Sequence, residues 1–243
     1  MADLHIPILM YHQIDARPAR GVPLRGLIVS PTSFAWQMAL LKALGYQGLS
    51  MAALMPYLRG EKQGKVCGIT FDDGYLNNLE LALPVLQQYG FSATCYAVSG
   101  QLGGTNVWDQ DKDIAPTALM NAQQLRQWVQ AGQEVGAHTR SHADLTQLSA
   151  AQAHEEISRC KSDLEQATGT SVTQFCYPYG HFSAAHVEQV RQAGFAAATT
   201  TVRARATLQS SLWELPRVQV MGSVWLPQFW RKVATAYEDK RRG

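Results

Sequence analysis

Cysteine is scarce in this 243-residue chain, and its four copies, Cys67, Cys95, Cys160 and Cys176, include no Cys-x-x-Cys pair. Neither a disulfide framework nor a zinc–thiolate site is indicated, and Cys67, Cys95 and Cys176 fall in apolar, strand-like runs that read as buried thiols. Charge is also thin, at 16% of residues with a formal net charge of +2, too little to point to nucleic acid or an acidic polymer as a partner. No apolar run approaches the roughly 20 residues that span a bilayer. Met1-Ala2-Asp3-Leu4-His5 lacks the basic-then-apolar pattern of an export signal, from which a cytoplasmic location is expected. There are no repeats and no linker, so residues 1–243 are expected to form a single domain. No glycine-rich phosphate or dinucleotide fingerprint follows any strand-like run, which weighs against an open nucleotide-binding sheet. What remains is a 46% hydrophobic sequence able to build a sizeable core.

That sequence alternates short apolar runs with helical patterns. Strands are expected at Ile6–Tyr11, Gln47–Leu49, Val66–Phe71, Ser92–Val98, Glu134–His138, Thr173–Tyr177, Phe195–Thr201 and Leu212–Val220. Helices are expected from Ser30-Pro31 to Gly45, Met51 to Arg59, Asn77 to Tyr89 with a bend at Pro84, Asn121 to Gly132, Ser149 to Gly169, Ser183 to Gly194 and Leu226 to Tyr237. Asp15–Gly26 reads as a loop, and so does Ser99–Thr117, which has no period and a length typical of functional loops. Such alternation implies a mostly parallel sheet with helices outside, and the length suits a closed α/β barrel.

In a parallel barrel the site lies where the strands end, and those ends carry most of the titratable groups: His12, Asp72 with Asp73, His138, and Tyr177-Pro178-Tyr179-Gly180. Adjacent residues on an extended chain point in different directions, so Asp72 and Asp73 can do different work. His138 and His142 are four apart but start at a strand end, so a tight turn is needed to fold one beside the other. Two imidazoles and one carboxylate form a common catalytic metal set with positions left open, with Asp73 as third ligand. Asp72 is then free to act as general base toward a water polarised by a divalent cation, and the backbone N–H of Tyr179 is an oxyanion donor. Metal-assisted hydrolysis of an amide or ester follows.

Thr70-Phe71-Asp72-Asp73, His138-Thr139-x-x-His142 and Tyr177-Pro178-Tyr179-Gly180 together resemble the first three motifs of the polysaccharide deacetylase family, the NodB-homology or carbohydrate esterase 4 group. The resemblance implies a distorted (β/α)7 barrel, one divalent metal ion (zinc first, with nickel, cobalt or iron as alternatives) and removal of acetyl groups from sugars. It places the general base at Asp72, the ligands at Asp73, His138 and His142, and the oxyanion donor at Tyr179, with Tyr177, Pro178 and Gly180 beside the substrate. Pro7-Ile8-Leu9-Met10-Tyr11-His12 resembles a subgroup that includes poly-N-acetylglucosamine deacetylases. The substrate expected is an N-acetylhexosamine in a glycan or glycan precursor. The competing readings are a deformylase or ring-opening amidohydrolase on the same scaffold, and a non-catalytic glycan-binding relative.

Two departures from the family pattern need replacements. An arginine that steadies the catalytic aspartate is replaced by Cys176, and Arg217 is the candidate substitute. The late Leu-x-His motif that supplies the general acid is absent, which leaves His12 or a polarised water to protonate the leaving amine. His12 reads equally as a strand cap. Trp108, with Asp109, is read as a grip on a sugar ring or an anchor for its loop. Trp128, Trp213, Trp225 and Trp230 are expected to pack, His186 to lie on an exposed helix face, and Asp144 to orient a ligand histidine or cap a turn. Glu155, Glu156, Asp163, Arg159 and Lys161 are expected to form a solvated helix face, and Lys240-Arg241-Arg242 a solvated end.

Overall fold

The structure, a computed structural model, describes residues 5–112 and 114–241. In chain order the elements are β1 (Ile8–Tyr11), β2 (Gln13–Ile14), β3 (Ile28–Val29), α1 (Pro31–Ala43), β4 (Gln47–Leu49), α2 (Met51–Leu58), β5 (Val66–Phe71), α3 (Leu83–Tyr89), β6 (Thr94–Ala97), α4 (Ala122–Gln130), β7 (Glu134–Ala137), α5 (Ala150–Thr168), β8 (Gln174–Cys176), α6 (Ala184–Gln192), β9 (Ala197–Arg203), β10 (Leu215–Gln219) and α7 (Leu226–Ala234). Strands β5 to β10 pair in parallel with their neighbours in order, and β1 closes the ring by pairing with both β10 and β5. Seven strands form the barrel, and β4 hangs on β5 outside it. This is the expected (β/α)7 barrel.

Strand alternation sorts the side chains. In β5, Cys67, Ile69 and Phe71 join the large core cluster with the surrounding helices, so Gly68, Thr70 and Asp72 take the other face. The same rule sends Val135 and Ala137 of β7 outward and Gly136 and His138 inward. A Cβ on Gly136 would meet the Tyr96 ring at 2.4 Å, so a glycine is required where this ring fills the barrel. At the end where the strands begin, α2 acts as a stopper. Met51, Leu54, Met55 and Leu58 form a second apolar cluster with Ile8, Tyr96 and Leu215, and the first-turn N–H of Met51 donates to Thr94 Oγ1 while that of Ala52 donates to Glu134.

Several expectations are corrected. Gln13–Ile14 and Ile28–Val29 pair as a small parallel ribbon flanking the loop, too short to carry a period. The helix expected from Asn77 starts instead as a π-turn, Asn78–Ala82, with Leu83 N–H reaching back to Asn78 O; the wider turn accommodates Pro84, whose ring an ordinary helix would crowd. The last helix stops at Ala234. Trp128 is fully buried, but Trp225 is 67% exposed and Trp230 is also exposed, so neither packs in the core. His186 is buried and accepts the Ser183 N–H as a helix cap, rather than facing solvent. At the tail, Lys240 is exposed, while Arg242 lies outside the described residues. No helix among the described residues is long and apolar enough to cross a membrane.

Candidate active site

Beyond β5, the chain turns sharply through two successive left-handed residues, Asp73 (φ 74°) and Gly74 (φ 82°). That turn separates the two carboxylates. Asp72 stays in line with the inward face of β5, and Asp73 swings toward the end of β7. His138 continues β7 inward, its Nδ1 2.8 Å from the Cys176 carbonyl. This bond places the proton on Nδ1 and leaves the Nε2 lone pair facing the cavity. His142 is folded back by a turn in which Thr139 (φ 58°) and His142 (φ 61°) are both left-handed. The Glu156 carboxylate fastens this turn by accepting from the Arg140 and Ser141 N–H groups and the Ser141 hydroxyl, each at 2.8 Å. Glu156 is therefore a structural clamp, not part of a solvated face. Asp163 likewise accepts from Ser99 Oγ at 3.0 Å.

Three ligand atoms converge as a result. His138 Nε2 and His142 Nε2 lie 3.4 and 3.2 Å from Asp73 Oδ1, and the three residues form a buried group able to hold a metal ion. Asp73 Oδ1 is buried without a hydrogen-bond donor, the state of an oxygen that a cation would satisfy. Burial alone would push the Asp73 carboxyl up, but His138 and His142 together outweigh it and hold it well below the ordinary value. Burial lowers His142 and prevails over Asp73, which favours a neutral, donor-competent ring. His142 is further boxed in: Trp108 stacks on it at 4.4 Å with planes 20° apart, and Tyr179 Oη lies 3.1 Å from its Nδ1. Trp108 thus packs on a ligand candidate while also lining the cavity.

Asp72 is gripped from below. Arg217 Nη1 and Nη2 reach its two oxygens at 2.7 and 2.8 Å. The fully buried guanidinium also donates to Thr200 O, Thr70 Oγ1 and Cys176 Sγ. It comes from β10, across the thiol of Cys176, and so approaches the carboxylate from a different strand than the one bearing Cys176. Burial raises Asp72, but the charge and hydrogen bonds of Arg217, with His12 and His138, outweigh burial and hold the carboxyl below its ordinary range. His12 Nε2 stands 3.9 Å from Asp72 Oδ2, and its carbonyl is tied to Asn78 Nδ2 at 2.7 Å.

A cavity of about 170 Å³ brings together His12, Asp72, Asp73, Trp108, His138, His142, Tyr177 and Tyr179. Pro178 and Gly180 are not among its walls. Gly180 is required because a Cβ there would sit 1.9 Å from Thr201 Oγ1, and buried Pro178 lies beside it, so both shape the turn that carries Tyr179. Tyr177 is fully buried, its hydroxyl donating to Trp213 O. Tyr179 itself has φ 60°, a strained setting for a non-glycine residue. Asp144 caps its turn through Thr146 N–H and pairs with His181 at 2.8 Å, not with a ligand histidine. Sequence reasoning missed Leu24, Leu27, Lys112 and Thr201 as cavity walls. The only signal for the leucines was an apolar pair inside a Pro/Arg/Gly-rich loop.

A metal-competent Asp–His–His group at the closing end of a seven-stranded parallel barrel is the design of a hydrolase, and comparison with known proteins gives the family. The sequence profile for polysaccharide deacetylases matches residues 59–198, more than half of the chain, which therefore belongs to that family. The Bacillus subtilis polysaccharide deacetylase homologue YxkH is 28% identical over 217 residues, 88% of this chain and 71% of the relative. BA0330 from Bacillus anthracis superposes with a TM-score of 0.80 at 28% identity, covering 95% of this chain and 69% of that one. IcaB from Ammonifex degensii does so with 0.78 at 26%, covering 92% and 94%. Glycan deacetylation is the general activity of the class.

Proposed function

We propose that this protein is a metal-dependent hydrolase that removes the N-acetyl group from an N-acetylhexosamine unit of a glycan or glycan precursor. The reading is carried by one observation, the convergence of Asp73 Oδ1 with two imidazole Nε2 atoms beside a separate carboxylate, Asp72, gripped by Arg217. Asp73, His138 and His142 would hold the cation; this donor set suits zinc, with nickel, cobalt or iron as alternatives. When bound, the cation supplies Lewis-acid polarisation of the acetyl carbonyl and of water.

The protein's own groups do the rest. Asp72, kept ionised by Arg217, accepts a proton from the attacking water as its oxygen bonds to the acetyl carbon. The Tyr179 N–H donates to the oxyanion that develops on the former carbonyl oxygen. Collapse breaks the C–N bond, and His12, within reach of Asp72, delivers a proton to the leaving nitrogen. The products are acetate and a primary amine. Arg217 acts through Asp72 and is a positioning residue.

The decisive test joins elemental analysis to an acetate-release assay on poly-N-acetylglucosamine-type oligomers. The wild type should carry about one metal per chain, and Asp73→Asn and His142→Ala should lose both the metal and turnover. Stoichiometric metal in either variant removes that residue from the ligand set. Formate release, or hydrolysis of a cyclic amide without acetate, would transfer the site to one of the competing hydrolase reactions.

A further inference from the structure

Next to the catalytic cavity lies a second hollow of about 230 Å³, and the two share His12, Leu24, Leu27 and Asp109. Neither reaches the roughly 300 Å³ at which small-molecule sites usually begin, but together they exceed it. The second hollow is built from anchored polar groups. Gln13, Tyr75, Asn106 and Asp109 line it, each more than nine-tenths buried. Asn106 Nδ2 donates to Asp109 at 3.1 Å and its carbonyl oxygen accepts the Thr117 N–H at 2.7 Å. Gln13 is fixed by Asn77 Nδ2 at 3.1 Å. Leu24 (φ 52°) and Leu27 add an apolar edge. Polar groups set around apolar carbon suit a pyranose, with hydroxyls at its rim and C–H groups on its faces.

The charge of the hollow narrows the ligand. No lysine or arginine is among its described walls. Asp109 is neutralised by Lys112 at 2.8 Å. Asp15 also lines the hollow, and its carboxylate accepts from two neutral donors, Ala16 N–H at 2.6 Å and Asn77 Nδ2 at 3.1 Å. A half-buried carboxylate whose hydrogen bonds come from neutral donors favours a cationic ligand and disfavours an acidic sugar. Deacetylation itself generates such a cation, because it exposes a primary amine that carries a proton near neutral pH.

We infer that this hollow is a subsite for the neighbouring hexosamine of the same glycan chain, with Asp15 receiving that unit's amine once it has been deacetylated. The inference rests on the deacetylase reading above. A chain that has already lost one acetyl group then becomes a better substrate at the next position.

The test uses the full-length, metal-loaded protein with three substrates: N-acetylglucosamine, its fully acetylated trimer, and the trimer carrying one free amine beside an acetylated unit. The partly deacetylated trimer should have a kcat/KM about fivefold above that of the acetylated one. Asp15→Asn should erase that difference and leave the monomer rate unchanged. Ala115→Trp, which fills the hollow from an exposed wall, should erase the advantage of either trimer over the monomer. A preference that survives Asp15→Asn, or an Ala115→Trp variant that slows monomer and trimers alike, overturns the subsite. If no substrate yields acetate, the deacetylase reading fails instead, and the hollow is then read by NMR titration with the fully deacetylated trimer. Weaker binding to Asp15→Asn than to wild type supports the amine contact, and equal binding overturns it.

Discussion

The two ends of the barrel obey different rules. Where the strands begin, α2 closes the ring with Met51, Leu54, Met55 and Leu58, all buried and apolar. Where they finish, the chain passes through left-handed turns at Asp73, Thr139, His142 and Tyr179 and buries Asp72, Asp73, His138 and Arg217. A non-glycine residue held in that region costs about 1–3 kcal/mol, and buried charge costs more unless paired. One end supplies stability through close packing; the other consumes it to hold buried polar groups apart in fixed directions. The difference teaches that the two ends should respond oppositely to substitution, and each prediction below is a way to break or sharpen that division.

The largest effect is expected from Asp72→Asn, which should lower turnover by about a thousandfold, within the usual range for losing a general base, while metal content measured by elemental analysis stays at wild-type level. Near-normal turnover would remove Asp72 from the chemistry. Arg217→Met strands a buried carboxylate and should cost about 3–5 kcal/mol in denaturant unfolding. Combining it with Asp72→Asn should recover part of that loss, and strict additivity would show that the two groups are not coupled. Leu54→Ala at the opposite end should cost about 3 kcal/mol of stability and leave kcat unchanged well below the unfolding temperature. A selective loss of turnover there would erase the division between the ends. Ser149→Ala removes the hydroxyl that accepts from Gln152 N–H at the start of α5 and should cost about 1 kcal/mol.

A pH effect completes the series. Asp239 is held below the ordinary carboxylate range: burial raises it, and the hydrogen bonds and charge of Arg205 outweigh burial. A depressed folded pKa contributes stability above the unfolded value and loses it as pH falls through the folded one. Wild type should therefore exceed Asp239→Asn in stability near neutrality, and the gap should shrink as pH drops from about 5 to about 3. A gap that widens on acidification would contradict the ion pair.

Much of the scaffold was legible because local signals agreed. Val66–Phe71 is a strand by its apolar run, and the Asp-Asp-Gly that follows is a turn; period two then sends the two carboxylates in different directions. Arg217 was legible only against the family pattern, as an arginine on a later strand able to replace the one missing at Cys176, and the structure puts it on Asp72. Other features depend on contacts far apart in sequence. Ring closure through Leu9–Val218 pairing leaves no local trace, and neither does the clamp of Glu156 on the Arg140–Ser141 backbone. Trp225 and Trp230 misled for the complementary reason: helical spacing identifies a face, but not whether anything covers it. His186 misled because a side chain that caps its own helix is spaced like one facing water.

The Asp72–Arg217 bond joins positions 145 residues apart. During synthesis, a ribosome that has released residues 72, 73, 138 and 142 has still not delivered the guanidinium that grips Asp72. Until β10 emerges and docks between β9 and β1, the ring stays open beside residue 72 and its carboxylate lacks the guanidinium it pairs with in the finished fold. The last strand to be made therefore supplies both the closing seam of the ring and the partner of its buried carboxylate.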